Sequence, residues 1–233
     1  MGGNVLPATV HFVYVRAGAT GSGTSWSDAT GDLRQALSTS GAGTQVWVAQ
    51  GTYTPTTCTN CGLSDRDLPF SLPDGVALYG GFLGNETHLD QRDWENQSTI
   101  LSGDIDGDGT GANNAYTILY LRNASSNTII DGYAENLNYD VYTRLNSGGA
   151  IYNDGSLSGS LSEPVIRNCR FSSHYARGFG AAIMNYGGFG GSCSPRIENC
   201  RMEDNEVLGN GGAVFNSGVF GGFTGSHFIG CHF

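Results

Sequence analysis

Residues 164–171 read Pro164-Val165-Ile166-Arg167-Asn168-Cys169-Arg170-Phe171. They return at 195–202 as Pro195-Arg196-Ile197-Glu198-Asn199-Cys200-Arg201-Met202 and, more worn, at 226–233 as Ser226-His227-Phe228-Ile229-Gly230-Cys231-His232-Phe233. A second motif keeps time with the first: Gly149-Ala150-Ile151-Tyr152-Asn153, then Ala181-Ala182-Ile183-Met184-Asn185, then Gly212-Ala213-Val214-Phe215-Asn216. Cys169, Cys200 and Cys231 are each 31 residues apart, and Asn153, Asn185 and Asn216 are 32 and 31 apart. Two markers holding one period identify a repeat, which takes precedence over local propensity in assigning a fold.

Each repeat contains two short β-rich runs separated by Gly, Ser, Asn and Pro, with no helix-length apolar period between them. A unit of this length with two or three short strands is one coil of a parallel β-helix, which buries its inward side chains against the coils above and below. Coils stack about 4.8 Å apart, so equivalent residues form ladders. The Cys and Asn columns read as two internal ladders: thiols behaving as small hydrophobes, and amides hydrogen-bonding along the stack. The expected fold is all-β, a right-handed single-stranded parallel β-helix of about seven coils. The inward column is set as Val46, Val76, Ile100, Ile129, Ile166, Ile197 and Phe228.

Upstream, His11–Val15 reads as a first strand. Ser27-Asp28 can cap a short helix through Leu33 to Leu37, with Leu33, Ala36 and Leu37 on one face. That helix is expected to cap the first coil, because an open β-helix end is an exposed sheet edge. The reading divides the chain into residues 1–45 (strand, loop and capping helix) and 46–233 (the β-helix). The chain stops at Phe233 inside a repeat, so a fragment is expected, with further coils of a longer parent chain or self-association at the C-terminal end.

The chain has 233 residues, a formal net charge of −10, 37 glycines and 14% charged residues. All eleven basic residues are Arg. An acidic, turn-rich chain argues against nucleic acid and anionic membranes as partners, and no apolar run is long enough to span a bilayer. The N-terminus carries no basic region followed by an apolar stretch, so any secretion signal is expected to have been removed or never to have belonged to this sequence.

The sharpest chemical signal is Asp104-Ile-Asp106-Gly-Asp108-Gly-Thr110. Three carboxylates at alternate positions before glycines match the start of an Asp-rich calcium loop, since Ca²⁺ takes six to eight hard oxygens. Asp104, Asp106 and Asp108 are the expected metal ligands. The twelfth position of such a loop is Ala115, so other groups must complete the shell. The alternative is a solvated acidic turn. Cys58 and Cys61 form a Cys-x-x-Cys in a polar loop, a candidate for a local disulfide; a zinc site lacks further ligands. Cys193 has no evident partner.

Residues 134–148 break the period and read as an inserted loop on a rigid scaffold, where binding residues usually sit. Tyr139, Asp140, Tyr142 and Arg144 are its candidate ligand-binding residues. Tyr133, Tyr152, Tyr175 and Tyr186 cluster around it, and aromatic rings beside polar groups suit sugar faces. Arg167, Arg170, Arg196 and Arg201 flank the Cys column, with Asp131 and Glu198 near the same face. They could be a basic stripe for polysaccharide cleavage, but stacked Arg–carboxylate pairing is the preferred reading. His174 stands where the repeat would place Asn, and a lone His is usually structural. No nucleophile–base pair or close carboxylate pair stands out at one coil.

The stretches YVRAGATGSGTSWSDATGDLRQAL (14–37), VWVAQGTYTPT (46–56), SLPDGVALYGGFLGNETHLDQRDW (71–94) and TILSGDIDGDG (99–109) resemble the opening of secreted bacterial right-handed β-helix proteins of the pectate-lyase-like superfamily. The Gly-Gly-Ala-Ile type motifs and Met202 to Asn205 resemble the repeats of polymorphic outer-membrane adhesins. The resemblance implies a secreted or cell-surface bacterial setting. It constrains function weakly, because this fold hosts lyases, hydrolases, adhesins and inert stalks. The expected function is a non-catalytic extracellular module for adhesion, carbohydrate binding or scaffolding, with calcium as the possible cofactor and a polysaccharide or cell-surface glycan as partner. The alternatives are a polysaccharide lyase or glycoside hydrolase, and a self-assembling filament or surface-layer subunit.

Overall fold

The computed structural model describes residues 10–57, 62–110, 113–138 and 147–233. The chain winds as a parallel β-helix. A first sheet stacks His11–Val15, Thr44–Ala49, Ala77–Phe82, Ile129–Asp131, Val165–Arg167, Arg196–Glu198 and His227–Ile229 in that spatial order. A second is built on Gly51–Tyr53, Thr99–Ser102, Ala134–Asn138, Arg170–Ala176 and Arg201–Glu203; a third on Phe70–Leu72, Leu119–Arg122, Ile151–Asp154, Ile183–Tyr186 and Val214–Ser217. The short pieces Leu161–Ser162, Ser192–Cys193 and Phe223–Thr224 add a fourth in the later coils. Every strand pairing in these sheets is parallel.

The inward column of the first sheet is Val13, Val46, Leu78, Ile130, Ile166, Ile197 and Phe228, in register throughout. Seven strands joined by six turns of chain replace the expected seven coils beginning at Val46. The late positions stand as expected, and the early ones are corrected. Leu78 takes the place given to Val76, and Ile130 that given to Ile129. Ile100 leaves the column altogether, pairing with Thr52 and Ala134 in the second sheet. The reason is one coil of 52 residues between Leu78 and Ile130, swollen by connections at 83–98 and 103–118. Even spacing divides that coil wrongly into two.

Helix α1 (Leu33–Thr39) buries Leu33, Ala36 and Leu37 in the main core. It packs against Phe70–Leu72, the terminal strand of the third sheet, and so covers the edge that strand would otherwise expose. Its cap is Asp32, whose carboxylate accepts from Gln35 N at 2.9 Å, not Ser27-Asp28. Asp28 is occupied elsewhere: its carboxylate accepts from the hydroxyls of Ser22 and Thr24. Outside the first sheet a second apolar cluster forms, with Trp47 stacked on Phe82 at 4.7 Å.

The corner between the first and second sheets explains the Asn-Cys motif. Asn168, Asn199 and Gly230 occupy it on successive coils with φ of 54°, 50° and 62°. Only Gly and, less readily, Asn accept the left-handed region at small cost, so the worn third repeat keeps the corner by changing Asn to Gly.

Successive coils are also tied by polar clamps. Asp74 accepts from Ser125 N (2.7 Å), Ser125 Oγ (2.6 Å) and Thr128 Oγ1 (3.1 Å). The Ser125 hydroxyl foremost holds the Asp74 carboxyl below its ordinary value. A carboxylate depressed in the folded state contributes stability above its unfolded pKa of about 3.9, and that contribution is lost as pH falls through the folded value. Asp74→Asn should therefore remove part of the acid-limb loss: the urea midpoints of wild type and variant should converge as pH is taken from 7 down to about 2. Parallel midpoint curves would show that Asp74 is not so clamped.

Candidate functional site

Three adjacent strands of the second sheet, Gly51–Tyr53, Thr99–Ser102 and Ala134–Asn138, each lead into an expanded connection toward the third sheet, at 54–69, 103–118 and 139–150. In the two following coils the return to the third sheet is not so expanded. The stacking thus brings the starts of three long connections to one side of the solenoid. These loops carry the metal, disulfide and ligand-binding candidates of the sequence analysis. Cys58 and Cys61 on the first loop, and Tyr139, Asp140, Tyr142 and Arg144 on the third, lie outside the described residues.

The middle loop is described over the acidic run. Asp104, Asp106 and Asp108 each offer a carboxylate oxygen, and these oxygens lie within 4.8 Å of one another. Asp104 folds the loop around itself: Oδ1 accepts from Gly107 N at 2.9 Å and Oδ2 from Gly109 N at 3.0 Å. Asp108 Oδ1 accepts from Thr110 N at 2.7 Å. Asp106 Oδ1 is shielded from water and has no hydrogen-bond partner among the described residues. A shielded, unsatisfied carboxylate oxygen is costly unless a cation serves it. Beside the loop lies a groove of about 450 Å³ lined by Thr52, Thr54, Thr57 and Ser102 together with Asp104 and Asp106. Ala115 is buried, and its side chain has no ligand atom to offer. The donor set is all hard oxygen, which fits Ca²⁺ rather than a soft metal. The loop is braced from the preceding coil: Arg66 Nε donates to Asn114 O at 2.7 Å, and the Arg66 guanidinium lies 4.4 Å from the Tyr116 ring centroid.

The tyrosines separate into two groups. Tyr133 points inward and is fully buried in the core, which removes it from any binding surface. Tyr152 and Tyr186 lie on the outer side of the third sheet, joined by Tyr120, which the repeat pattern missed; Tyr152 is buried there, Tyr120 and Tyr186 are half-buried, and Tyr186 is in register with Asp154. Tyr120 and Tyr152 are partners across adjacent strands, with ring centroids 6.0 Å apart and stacked; Tyr152 and Tyr186 are 6.4 Å apart. Tyr120 OH donates to Asp154 Oδ2 at 2.7 Å. Burial, then this bond, pushes the Tyr120 hydroxyl above its ordinary pKa; burial followed by the Asp154 charge does the same for Tyr152. The alternation Leu119-Tyr120-Leu121, set against Ile151-Tyr152-Asn153, was the signal available for Tyr120.

The arginines hold carboxylates. Arg170 meets Glu203 at 2.9 Å, and Arg201 pairs with the same Glu203 and Arg196 with Glu198. Arg167 is different: its Nε reaches Asp131 Oδ2 at 2.7 Å, and Asp131 is fully buried. Arg92 Nη2 holds the same oxygen at 2.6 Å, and Asn168 Nδ2 donates to Oδ1 at 2.8 Å. Arg92 arrives on the swollen coil, so the period gave no hint of it.

Asn153, Asn185 and Asn216 are in register. Asn153 Nδ2 donates to Asn185 Oδ1 at 3.1 Å, and Asn185 Nδ2 to Asn216 Oδ1 at 3.0 Å; Ser162 Oγ supplies a further bond to Asn153 Oδ1 at 2.6 Å. The thiols of Cys169, Cys200 and Cys231 point to the carbonyls of Ile130, Ile166 and Ile197 one coil back, at 3.9, 3.7 and 3.4 Å. Burial raises the Cys169 thiol pKa well above its ordinary value and that of Cys193 to about 12, so both stay protonated and inert. His174 is buried, beside Asn205, whose Oδ1 accepts from His174 N at 3.2 Å.

No protein-family model matches this sequence, and no curated protein matches it. Among solved structures the chain is similar to a rhamnogalacturonan lyase, with a TM-score of 0.46 and 16% identity over 95% of this chain and 51% of that one. The chain spans about half the length of that protein.

Proposed function

We propose that this chain is a non-catalytic polysaccharide-binding β-helix module of a secreted or cell-surface bacterial protein, stabilised by calcium at Asp104, Asp106 and Asp108. The observation that carries the binding reading is the half-buried Tyr120 and Tyr186 on the outer side of the third sheet, with buried Tyr152 packed between them and Asp154 beside Tyr120. Aromatic rings with hydroxyls and a carboxylate at their edge are the groups that recognise sugar faces and their hydroxyls. The non-catalytic part is supported by the arginines. Arg167, Arg170, Arg196 and Arg201 are each engaged with a carboxylate, as surface and structural pairs are, rather than held ready to take a proton.

The test is incubation with a panel of neutral and acidic polysaccharides in the presence of calcium. Retention without turnover, weakened at least tenfold by Tyr186→Ala, is the expected result. Unsaturated ends absorbing in the ultraviolet, or new reducing ends, would make the chain a lyase or hydrolase and overturn the proposal.

The calcium part rests on the clustered carboxylates and the unserved Asp106 Oδ1. A ligand that binds only the folded state adds about 2.7 kcal/mol when present at about 100 times its Kd, roughly 5–10 °C in Tm for a domain of this size. Chelator should lower the Tm by that order, and Asp106→Asn should abolish the sensitivity. Identical melting with calcium and with chelator would leave the loop an acidic turn.

A further inference from the structure

The turn after the third sheet holds an aromatic side chain where the backbone disfavours one. Phe189 and Phe220 occupy equivalent places on adjacent coils, both with φ of 54°. A bulky side chain in the left-handed region is an outlier, and such strain persists only where something over-determines it. Glycine is not scarce here: Gly187, Gly188, Gly190 and Gly191 surround Phe189. Nor does the core claim the rings, since Phe189 is 57% exposed and Phe220 72%. Phe189 has a coil on either side, Ser158 standing beside it on one (Gly159 N donates to Gly190 O at 3.1 Å) and Phe220 on the other, so its exposure owes nothing to the last coil. The two rings lie 4.9 Å apart with planes 12° from parallel, an offset stack that leaves part of each face open. Phe189 also meets Tyr186 edge-on at 6.4 Å, which joins the pair to the half-buried Tyr186. Over residues 155–162, 186–195 and 217–226 there is no charged side chain, on a chain of net charge −10.

We propose that Phe189, with Phe220 stacked on it, is a platform that selects a neutral rather than an acidic polysaccharide. This rests on the carbohydrate-binding reading above and narrows its ligand class. An uncharged ridge offers an acidic polymer no counter-ion, and the surrounding acidic chain repels it. A neutral chain can lay apolar sugar faces on the rings, and the serine hydroxyls along the same turns are at hand for hydrogen bonds. The rings are held against backbone preference for contact with something outside the chain.

That makes an unusual test possible, because relieving the strain should preserve the fold while removing the site. The probes are neutral galactan and xyloglucan against acidic polygalacturonate, read by affinity electrophoresis and calorimetry, with Phe189→Gly and Phe189→Asn as variants. Asn tolerates the left-handed region without adding a further glycine to the run. The expected result is binding of a neutral probe, at least a tenfold loss of affinity in both variants, and a melting temperature at or above wild type in at least one of them. Lowered melting in both with affinity within twofold of wild type would make the ring a packing element and overturn the proposal. Binding of polygalacturonate alone, unaffected by either variant, would overturn it while leaving the carbohydrate reading standing. Binding of none of the three probes would remove both. A concentration-dependent dimer by sedimentation, lost in both variants, would reassign the ridge to self-association and overturn it as well.

Discussion

Gly191→Ala should be among the most destabilising single substitutions in this chain, at about 3 kcal/mol or more. A Cβ built at Gly191 would lie 1.9 Å from Gly155 O and 2.7 Å from Leu157 O. Both are backbone atoms of the neighbouring coil, so neither can swing aside as a flexible side chain would. The same near-contact recurs at Gly222, whose Cβ would meet Gly187 O at 1.4 Å. The turns of successive coils are stacked backbone on backbone, and this is one reason the chain carries 37 glycines. Chemical denaturation of Gly191→Ala beside Gly41→Ala checks it. Gly41 has open space around a Cβ and no left-handed φ, so its replacement should be neutral or stabilising by up to about 1 kcal/mol. A Gly191→Ala variant within about 1 kcal/mol of wild type would mean the coils do not pack this closely.

The second large effect is expected at Asp131. Its buried carboxylate is shared by Arg92, Arg167 and Asn168. Removing one member of a buried ion pair costs about 3–5 kcal/mol, because the charges left behind lose their partner without regaining water. Arg92 is the more exposed to this penalty, with its side chain only 10% accessible against 35% for Arg167. Arg92 also donates to the carbonyls of Gly80 and Asp131 at 3.1 Å, so it fastens the 83–98 connection to the first sheet. Asp131→Ala should therefore lower the urea midpoint and hasten proteolysis within 83–98. The comparison is Arg170→Ala, which loses an exposed pair and should cost no more than about 1 kcal/mol. Equal effects for the two would refute the buried clamp.

These two residues show what the sequence made legible. From Ile166 onward, coils of equal length let equivalent residues be aligned by counting, and the Ile, Asn and Cys columns follow directly. Gly191 belongs to that regular part, yet its importance comes from contact between backbones, which leaves no side-chain pattern to read. Asp131 sits just before the regular part, and its partner Arg92 arrives on a coil of 52 residues, where counting fails. The same coil displaced Val76 and Ile100 from the column and hid Tyr120. The clustering of Asp104, Asp106 and Asp108 was legible because alternate spacing is a local property, independent of which coil carries the loop. The outward tyrosines were half legible: composition marks them, but only register separates inward Tyr133 from outward Tyr152.

The in-register stacking on which every column depends is tested most directly by a cross-link. Arg196 and His227 are exposed partners on adjacent strands of the first sheet, so their Cα atoms should lie about 4.8 Å apart, inside the range a disulfide spans. The double variant Arg196→Cys/His227→Cys should close an intrachain disulfide under mild oxidation, located by peptide mapping, while Arg196→Cys/Ile229→Cys should not. Efficient closure of the second pair, or failure of the first in a folded protein, would contradict a parallel β-helix in this register.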